Sequence, residues 1–360
     1  MDEVITVRGP IHPDELGVTS VHEHLLMDNS WLHDILFKYP IEKSKLQLVE
    51  AKLSIENLAV ARRHHALIKD NMRLDSEELA IKEIKEFVNK GGKSIVDVSV
   101  PDHGRDVVTL KRISQKAEVN VVAATGWYTA PSHPPYVKKK TVIELRDIMI
   151  KELTEEIENT DIRAGVIKCA IGGLTGDPDK PLADYVFHKE EEKVLRAGAK
   201  AQEYTNAPMT IHTCVFRKDS HEYLDVLEEE NVNLEKCWLS HLDITYPDLD
   251  IDYCKSLMDR GVSISFDCFG FEKYSESLYL GTCITDKERV KTLIELCESG
   301  YDKNIMLGQD ISNKDRLKKY GGYGYSHVLE NILPEIERKG VSKNQIRNMV
   351  VENPKKTLVF

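Results

Sequence analysis

His22 and His24 close a short run that begins Thr19-Ser20-Val21. Spaced by one residue, they point to the same side of an extended strand. Two imidazoles on one face make half of a divalent-metal site. The same situation recurs four times further along. Lys168 ends Ala164-Gly165-Val166-Ile167, His212 ends Pro208-Met209-Thr210-Ile211, His241 ends Cys237-Trp238-Leu239-Ser240, and Asp310 ends Ile305-Met306-Leu307-Gly308-Gln309. A single zinc takes about four ligands. Six groups, with one able to bridge, suit two metals ~3.5–4 Å apart.

Lys168 is the odd member, because an ammonium repels cations. Burial lowers a lysine's pKa and exposes the neutral amine. That amine can add carbon dioxide to give a carbamate, an anionic bidentate oxygen ligand. A bare charge at the end of an apolar strand is costly, which favours the modified form. Each residue alone has a plainer reading. A single histidine is commonly a hydrogen-bonded structural residue, Lys168 a Schiff-base lysine, and Asp310 a helix cap. The metal reading rests on their joint placement at strand ends. His12, His33, His103, His188 and His221 lack that placement and read as surface or loop residues. His133, in Pro131-Ser132-His133-Pro134-Pro135, falls where it could line the mouth.

Such placement needs a scaffold of repeated strands. Short β-rich runs fall at 19–24, 94–100, 120–125, 164–169, 209–213, 237–241, 263–268 and 304–310. Several are continuously apolar, as strands buried on both faces are. Between them lie segments with apolar residues at helical spacing, at 79–87, 190–204 and 287–297 among others. Alternating strand and helix predicts a parallel sheet, and eight such units predict a (β/α)8 barrel with its site at the C-terminal strand ends. The alternative is an open doubly wound sheet, but no Gly-x-Gly-x-x-Gly follows a first strand. Residues 4–9 read as a small strand or hairpin outside the barrel. The long stretch at about 28–75 reads as an elaborated first loop over the mouth. No linker or repeat interrupts 1–360, so one domain is expected.

Composition narrows the class. With 360 residues, 41% hydrophobic and 30% charged, the chain is globular and large enough to need no disulfides. Its seven cysteines form no Cys-x-x-Cys pair, which points to reduced thiols and a cytoplasmic protein. The start of the chain lacks a signal-peptide pattern, and no run approaches the ~20 apolar residues of a membrane span. A net charge of −11 disfavours nucleic acid. It leaves room for a small anionic substrate gripped by a local basic cluster.

Together, Val21-His22-Glu23-His24-Leu25, Ala164-Gly165-Val166-Ile167-Lys168, Ile211-His212-Thr213, Ser240-His241 and Ile305-Met306-Leu307-Gly308-Gln309-Asp310 resemble the phosphotriesterase-like branch of the amidohydrolase superfamily. The similarity runs from Arg8-Gly9-Pro10 to Glu352-Asn353-Pro354. It implies a binuclear metal hydrolase carrying zinc, with manganese or cobalt as alternatives. His22, His24 and Asp310 would hold the more buried metal, His212 and His241 the more exposed one, and carboxylated Lys168 would bridge them. Thr125-Gly126-Trp127-Tyr128 is similar to a lactonase segment whose second tyrosine contacts the lactone, a role carried to Tyr128. Asp267-Cys268-Phe269-Gly270 departs from the Asp-Arg-Phe/Tyr-Gly of acyl-homoserine lactonases. Residues 62–79 and Gly321-Gly322-Tyr323-Gly324-Tyr325 are similar to the subgroup acting on phosphorylated sugar lactones.

The expected activity is hydrolysis of a phosphorylated aldonolactone, a pentonolactone phosphate in particular. Metal-activated hydroxide would attack the carbonyl, with Asp310 as proton shuttle and Tyr128 assisting the carbonyl. Basic residues follow the fifth, seventh and eighth strands, and Lys273 and Arg316 are the expected phosphate contacts. The alternatives are a phosphotriesterase or carboxylesterase, an acyl-homoserine lactonase, or a non-catalytic metal-binding barrel. A homodimer is compatible with the fold class.

Overall fold

The computed structural model describes residues 2–36, 42–173, 188–244, 249–272, 274–275, 281–282 and 284–360. Its centre is one eight-stranded parallel sheet whose spatial order follows the chain. The strands are β1 (Thr19–Glu23), β2 (Ser94–Asp97), β3 (Asn120–Gly126), β4 (Val166–Ala170), β5 (Met209–His212), β6 (Cys237–Ser240), β7 (Ser263–Phe266) and β8 (Ile305–Leu307). The seven crossover helices are α1 (Glu77–Asn89), α2 (Val107–Ala117), α3 (Val142–Thr154), α4 (Lys189–Thr205), α5 (Ser220–Glu229), α6 (Ile251–Met258) and α7 (Asp286–Glu298). The result is the expected (β/α)8 barrel. Among the described residues, no helix is long and apolar enough to cross a membrane.

Local chemistry explains these elements. The Ser76 hydroxyl caps α1 by accepting from the Leu79 N–H at 3.2 Å. Ala80, Ile84 and Phe87 then recur at helical spacing and bury one face. Along the strands the alternation has period two. Val122, Ala124, Val166, Trp238 and Met306 pack together inside the barrel. Val121, Ala123, Ile167, Cys169, Met209 and Ile211 pack outward with the helices. Lys168 follows Val166 by two positions, so the pleat turns it inward. His212 follows Thr210 in the same way.

Closure between β8 and β1 is made by polar groups. The Asp310 N–H donates to the His22 carbonyl at 3.0 Å. Glu23, fully buried, accepts from the Gln309 N–H at 2.8 Å, the Ile311 N–H at 3.0 Å and the Ser20 hydroxyl at 2.6 Å. Gly308 lets the strands meet: a Cβ there would lie 3.1 Å from both the Asp267 Cβ and the His22 carbonyl oxygen. The N-terminal residues form an antiparallel hairpin, Val4–Thr6 with Gly9–Ile11. The Val7 N–H bonds the Val121 carbonyl at 2.8 Å, which seats the hairpin at the N-terminal end of β3. The long first loop is bounded by a short antiparallel pair, Met27–Asp28 with Arg73–Leu74, and Met27, Asn29, Leu32 and His65 from it line the mouth.

Glu23→Ala strands the Gln309 and Ile311 amides at the seam. A loss of ~3 kcal/mol in urea unfolding is expected. A loss under ~1 kcal/mol would show that the seam does not depend on this carboxylate.

Candidate metal centre and active site

The strand register brings the polar residues to one level. Gly126 on β3 pairs with Lys168 on β4, while Ala170 on β4 and Ser240 on β6 flank His212 on β5. Gly126 has φ +119°, and a Cβ there would collide with the Lys168 carbonyl. His241 and Asp310 lie just past the ends of β6 and β8 in the left-handed region, with φ of 66° and 48°. Such backbone costs of order 1–3 kcal/mol at a non-glycine residue. It is held here by hydrogen bonds, the His241 N–H to Asp267 Oδ1 at 3.1 Å and the Asp310 N–H to the His22 carbonyl.

The side chains converge. His22 Nε2 lies 3.4 Å from Lys168 Nζ and 3.8 Å from Asp310 Oδ1, and His24 Nε2 lies 3.4 Å from the same oxygen. The His241 ring centre is 4.6 Å from that of His22 and 4.4 Å from that of His212. Outer partners fix the imidazoles from behind. His22 Nδ1 meets Ser240 Oγ at 2.9 Å and Asp267 Oδ2 at 3.2 Å. His241 Nδ1 meets Asp267 Oδ1 at 2.7 Å, and His24 Nδ1 meets Ser99 Oγ at 2.8 Å. With each Nδ1 engaged, the Nε2 atoms face the shared space.

Burial controls the charges. It pushes His22 down to about 3, with the Lys168 charge adding to the effect, and holds His212 well below its ordinary value. It lowers Lys168 to about 8. Burial works to raise Asp310, but the His24 hydrogen bond and the surrounding imidazoles hold its carboxyl below the usual carboxylate range. Burial would lower His241, yet Asp267 outweighs it and raises that imidazole.

The donor set fits divalent cations. His22, His24 and Asp310 present ligand atoms within 4.8 Å of one another, and so do His241, Cys268 and Asp310. Imidazole nitrogen and carboxylate oxygen are the ligands zinc and related ions take. Lys168 is 1% exposed, and the His22 ring is its side-chain hydrogen-bond contact among the described residues. That suits an amine that is neutral or modified better than a free ammonium.

Tyr128 stands beside this centre. Its phenol oxygen is 3.4 Å from His212 Nε2, and burial pushes its pKa up, so it stays protonated. The cavity above holds about 150 Å³. Met27, Leu32, Val215, Phe216, Ile244 and Phe271 give it an apolar side, and Asn29, His103 and Thr129 line it with polar groups. His133 sits under Tyr128 instead of lining the mouth, its Nε2 2.9 Å from the Tyr128 carbonyl.

Two residues sit otherwise than the sequence suggests. Arg316 does not line the cavity over the strand-end donors. Its guanidinium donates to the backbone carbonyls of Gln309, Asp310 and Phe269 and lies 5.1 Å over the Phe271 ring. It clamps the loop after β8 against the one after β7. Lys314 from the same basic run is buried in ion pairs with Asp70 at 3.1 Å and Asp75 at 3.0 Å. His103, expected on the surface or in a loop, is 1% exposed and packs 4.2 Å from Tyr128 and 5.4 Å from His24, ring centre to ring centre. Lys273 lies outside the described residues. Sequence reasoning gave no role to Cys268, Asp267, Ser240 or Ser99. Asp267 alone carried a signal, as the acid of the motif after β7.

Barrel, strand-end donors and buried lysine together define the class of barrel that carries a candidate metal site at its C-terminal strand ends. The model of the phosphotriesterase family matches residues 2–358, and the chain belongs to that family. It is 33% identical to N-acetyltaurine hydrolase of Salmo salar over 360 residues, covering 99% of this chain and 98% of that one. Among solved structures, a resiniferatoxin-binding protein from Rhodobacter sphaeroides superposes with TM-score 0.89 at 33% identity, covering 99% of this chain and 94% of the other. A phosphotriesterase homology protein from Escherichia coli, complexed with phosphate in its active site, gives TM-score 0.76 at 25% identity over 96% and 99%.

Asp267→Asn removes the acceptor shared by His22 and His241. Loss of such an outer partner is expected to weaken divalent-ion affinity ~10–100-fold, read by chelator competition. Unchanged affinity would show that Asp267 does not orient these rings.

Proposed function

We propose that this chain is a metal-dependent hydrolase of small acyl compounds, with N-acyl amides as its first substrate class. The observation that carries the reading is the buried set His22, His24, Lys168, His212, His241 and Asp310 at the floor of one cavity. His22, His24 and Asp310 would hold one divalent ion, and His212 and His241 a second. Lys168, as a carbamate formed on the amine that burial makes available, would be a further anionic ligand. Zinc leads the candidate ions, ahead of manganese and cobalt, and such ions supply Lewis acidity and lower the pKa of water.

The chain's own groups do the rest. Asp310, kept ionised, accepts the proton of the attacking water at its carboxylate and returns it to the departing atom. Tyr128, kept protonated, donates to the acyl oxygen as charge develops there. The outer partners Asp267, Ser240 and Ser99 keep the imidazoles oriented throughout.

Two points favour an amide over a phosphorylated lactone. The relative from Salmo salar is named for N-acetyltaurine, an amide. Among the described residues lining the cavity, Lys168 is the one ammonium or guanidinium, so the lining suits a neutral acyl group better than a phosphate dianion. The second reading is lactone hydrolysis, of a phosphorylated pentonolactone in its most specific form, and Tyr128 beside His212 favours it. A phosphotriesterase or carboxylesterase shares the same floor. The described cysteines are all buried and unpaired, which supports a reducing compartment such as the cytoplasm.

Metal-replete enzyme offered N-acetyltaurine, other N-acyl amides, aldonolactones with and without phosphate, and a paraoxon-like triester separates these readings by amine and proton release. The amides are expected to be cleaved at least ~10-fold faster in kcat/KM, a difference of ~1.4 kcal/mol. Turnover of the phosphorylated lactone alone would overturn the amide reading. Asp310→Asn, assayed at saturating divalent ion because this carboxylate is also a proposed ligand, is expected to cut kcat by ~100-fold or more while Tm holds. Near-wild-type turnover with metal bound would remove Asp310 from the mechanism.

A further inference from the structure

Three buried side chains on one wall of the cavity carry polar atoms without a hydrogen-bond partner among the described residues. Asn29 Oδ1, both ring nitrogens of His103, and Thr129 Oγ1 make no hydrogen bond among the described residues. The side chains are 6%, 1% and 1% exposed, and all three line the cavity over the metal centre. They come from the segments after β1, β2 and β3, neighbours around the barrel, and Tyr128 stands among them. Buried polar groups in native proteins are overwhelmingly satisfied, and an exception calls for a ligand, ion or water. Three on one wall of the reaction cavity point to a ligand.

The atoms define what that ligand offers. Asn29 Oδ1 is an acceptor alone, a neutral imidazole supplies one acceptor and one donor, and a hydroxyl supplies either. The wall therefore calls for donors on the ligand as well as an acceptor. An ester offers acceptors alone. A secondary amide offers an N–H together with its carbonyl. The facing side, with Val215, Phe216, Ile244 and Phe271, makes no such demand.

We propose that Asn29, His103 and Thr129 form a substrate subsite that recognises the N–H of the scissile amide and so selects amides over esters. The inference rests on the amide-hydrolase reading and assigns its selectivity to this wall. His103 is the central member, because it lies against both Tyr128 and His24. A site built to bond a substrate N–H discriminates strongly against the analogue without it, since its own polar groups are then left unpaired.

The test uses N-acetyltaurine and 2-acetoxyethanesulfonate, which differ by N–H against O. The readout is the amide-to-ester ratio of kcat/KM in the metal-replete protein. His103→Leu and Asn29→Leu are each expected to lower that ratio by ~10-fold or more, with Tm at or above the wild-type value because an unpaired buried group has gone. His103→Gln, which restores an acceptor and a donor, recovers part of the ratio. A structural role gives a different pattern: both substrates lose equally and Tm falls. That pattern, or an unchanged ratio, overturns the proposal. If the wild type cleaves neither compound, the function proposed above fails, and the subsite is read by calorimetric binding of N-acetyltaurine. A Kd raised ~10-fold in His103→Leu supports it. An unchanged Kd, or no binding by the wild type, overturns it.

Discussion

The contact between β8 and β1 is the one on which the site depends. His22 and Asp310 stand at opposite ends of the chain's barrel, and their side chains share a cavity because the Asp310 N–H bonds the His22 carbonyl. Glu23, between the two histidines in sequence, turns the other way and accepts both amides flanking Asp310. One strand end thus sends alternate residues two ways, imidazoles to the candidate metal site and a carboxyl to closure. Gly308 is the steric condition for this, since a side chain there would press on Asp267 and the His22 backbone. The barrel closes where its chemistry lies, so seam stability and site geometry are linked.

Asp267 carries a second linkage. It is fully buried and reaches Nδ1 of His22 with one oxygen and Nδ1 of His241 with the other. Burial alone would raise a carboxyl, yet the two imidazoles hold Asp267 well below its usual range. The anion sets both rings with Nε2 inward, and its charge would compensate a cation bound between them. His241 and Asp310 reach the same space by left-handed turns, an arrangement that persists because surrounding hydrogen bonds over-determine it. Rigid strands, one shared anion and two strained corners give a floor with little freedom to relax around an ion.

This explains what could be read from the chain. His22, His24, Lys168, His212, His241 and Asp310 stood out because a polar residue ending an apolar run is visible in one dimension, and a parallel barrel converts that pattern into convergence. The expected strands at 94–100, 263–268 and 304–310 ran past the observed ends at Asp97, Phe266 and Leu307. The hydrophobic run continues into the turn, whereas the hydrogen-bonded ladder stops before the residue that must rotate inward. The backbone partners of Arg316 were hidden for the opposite reason. A basic residue after a strand resembles a phosphate contact, and nothing local shows that three carbonyls take its guanidinium. His103 was hidden because its loop carries no period, and its depth comes from Tyr128 and His24, distant in sequence.

The two kinds of residue also differ in what they can change. The floor is set by strand ends and by Asp267, so altering it endangers both the seam and the ligands. The walls come from loops: the segment after β1 supplies Asn29 and Leu32, the turn after β2 supplies His103, and the loop after β5 supplies Val215 and Phe216. A loop residue can vary without moving a strand end. The donor set is therefore a property of the barrel, and the choice of substrate a property of a few loop positions. Asn29, His103 and Thr129, which line the cavity with unsatisfied polar atoms, all follow strand ends, so this unmet hydrogen-bonding capacity lies where selectivity can be built without weakening the scaffold.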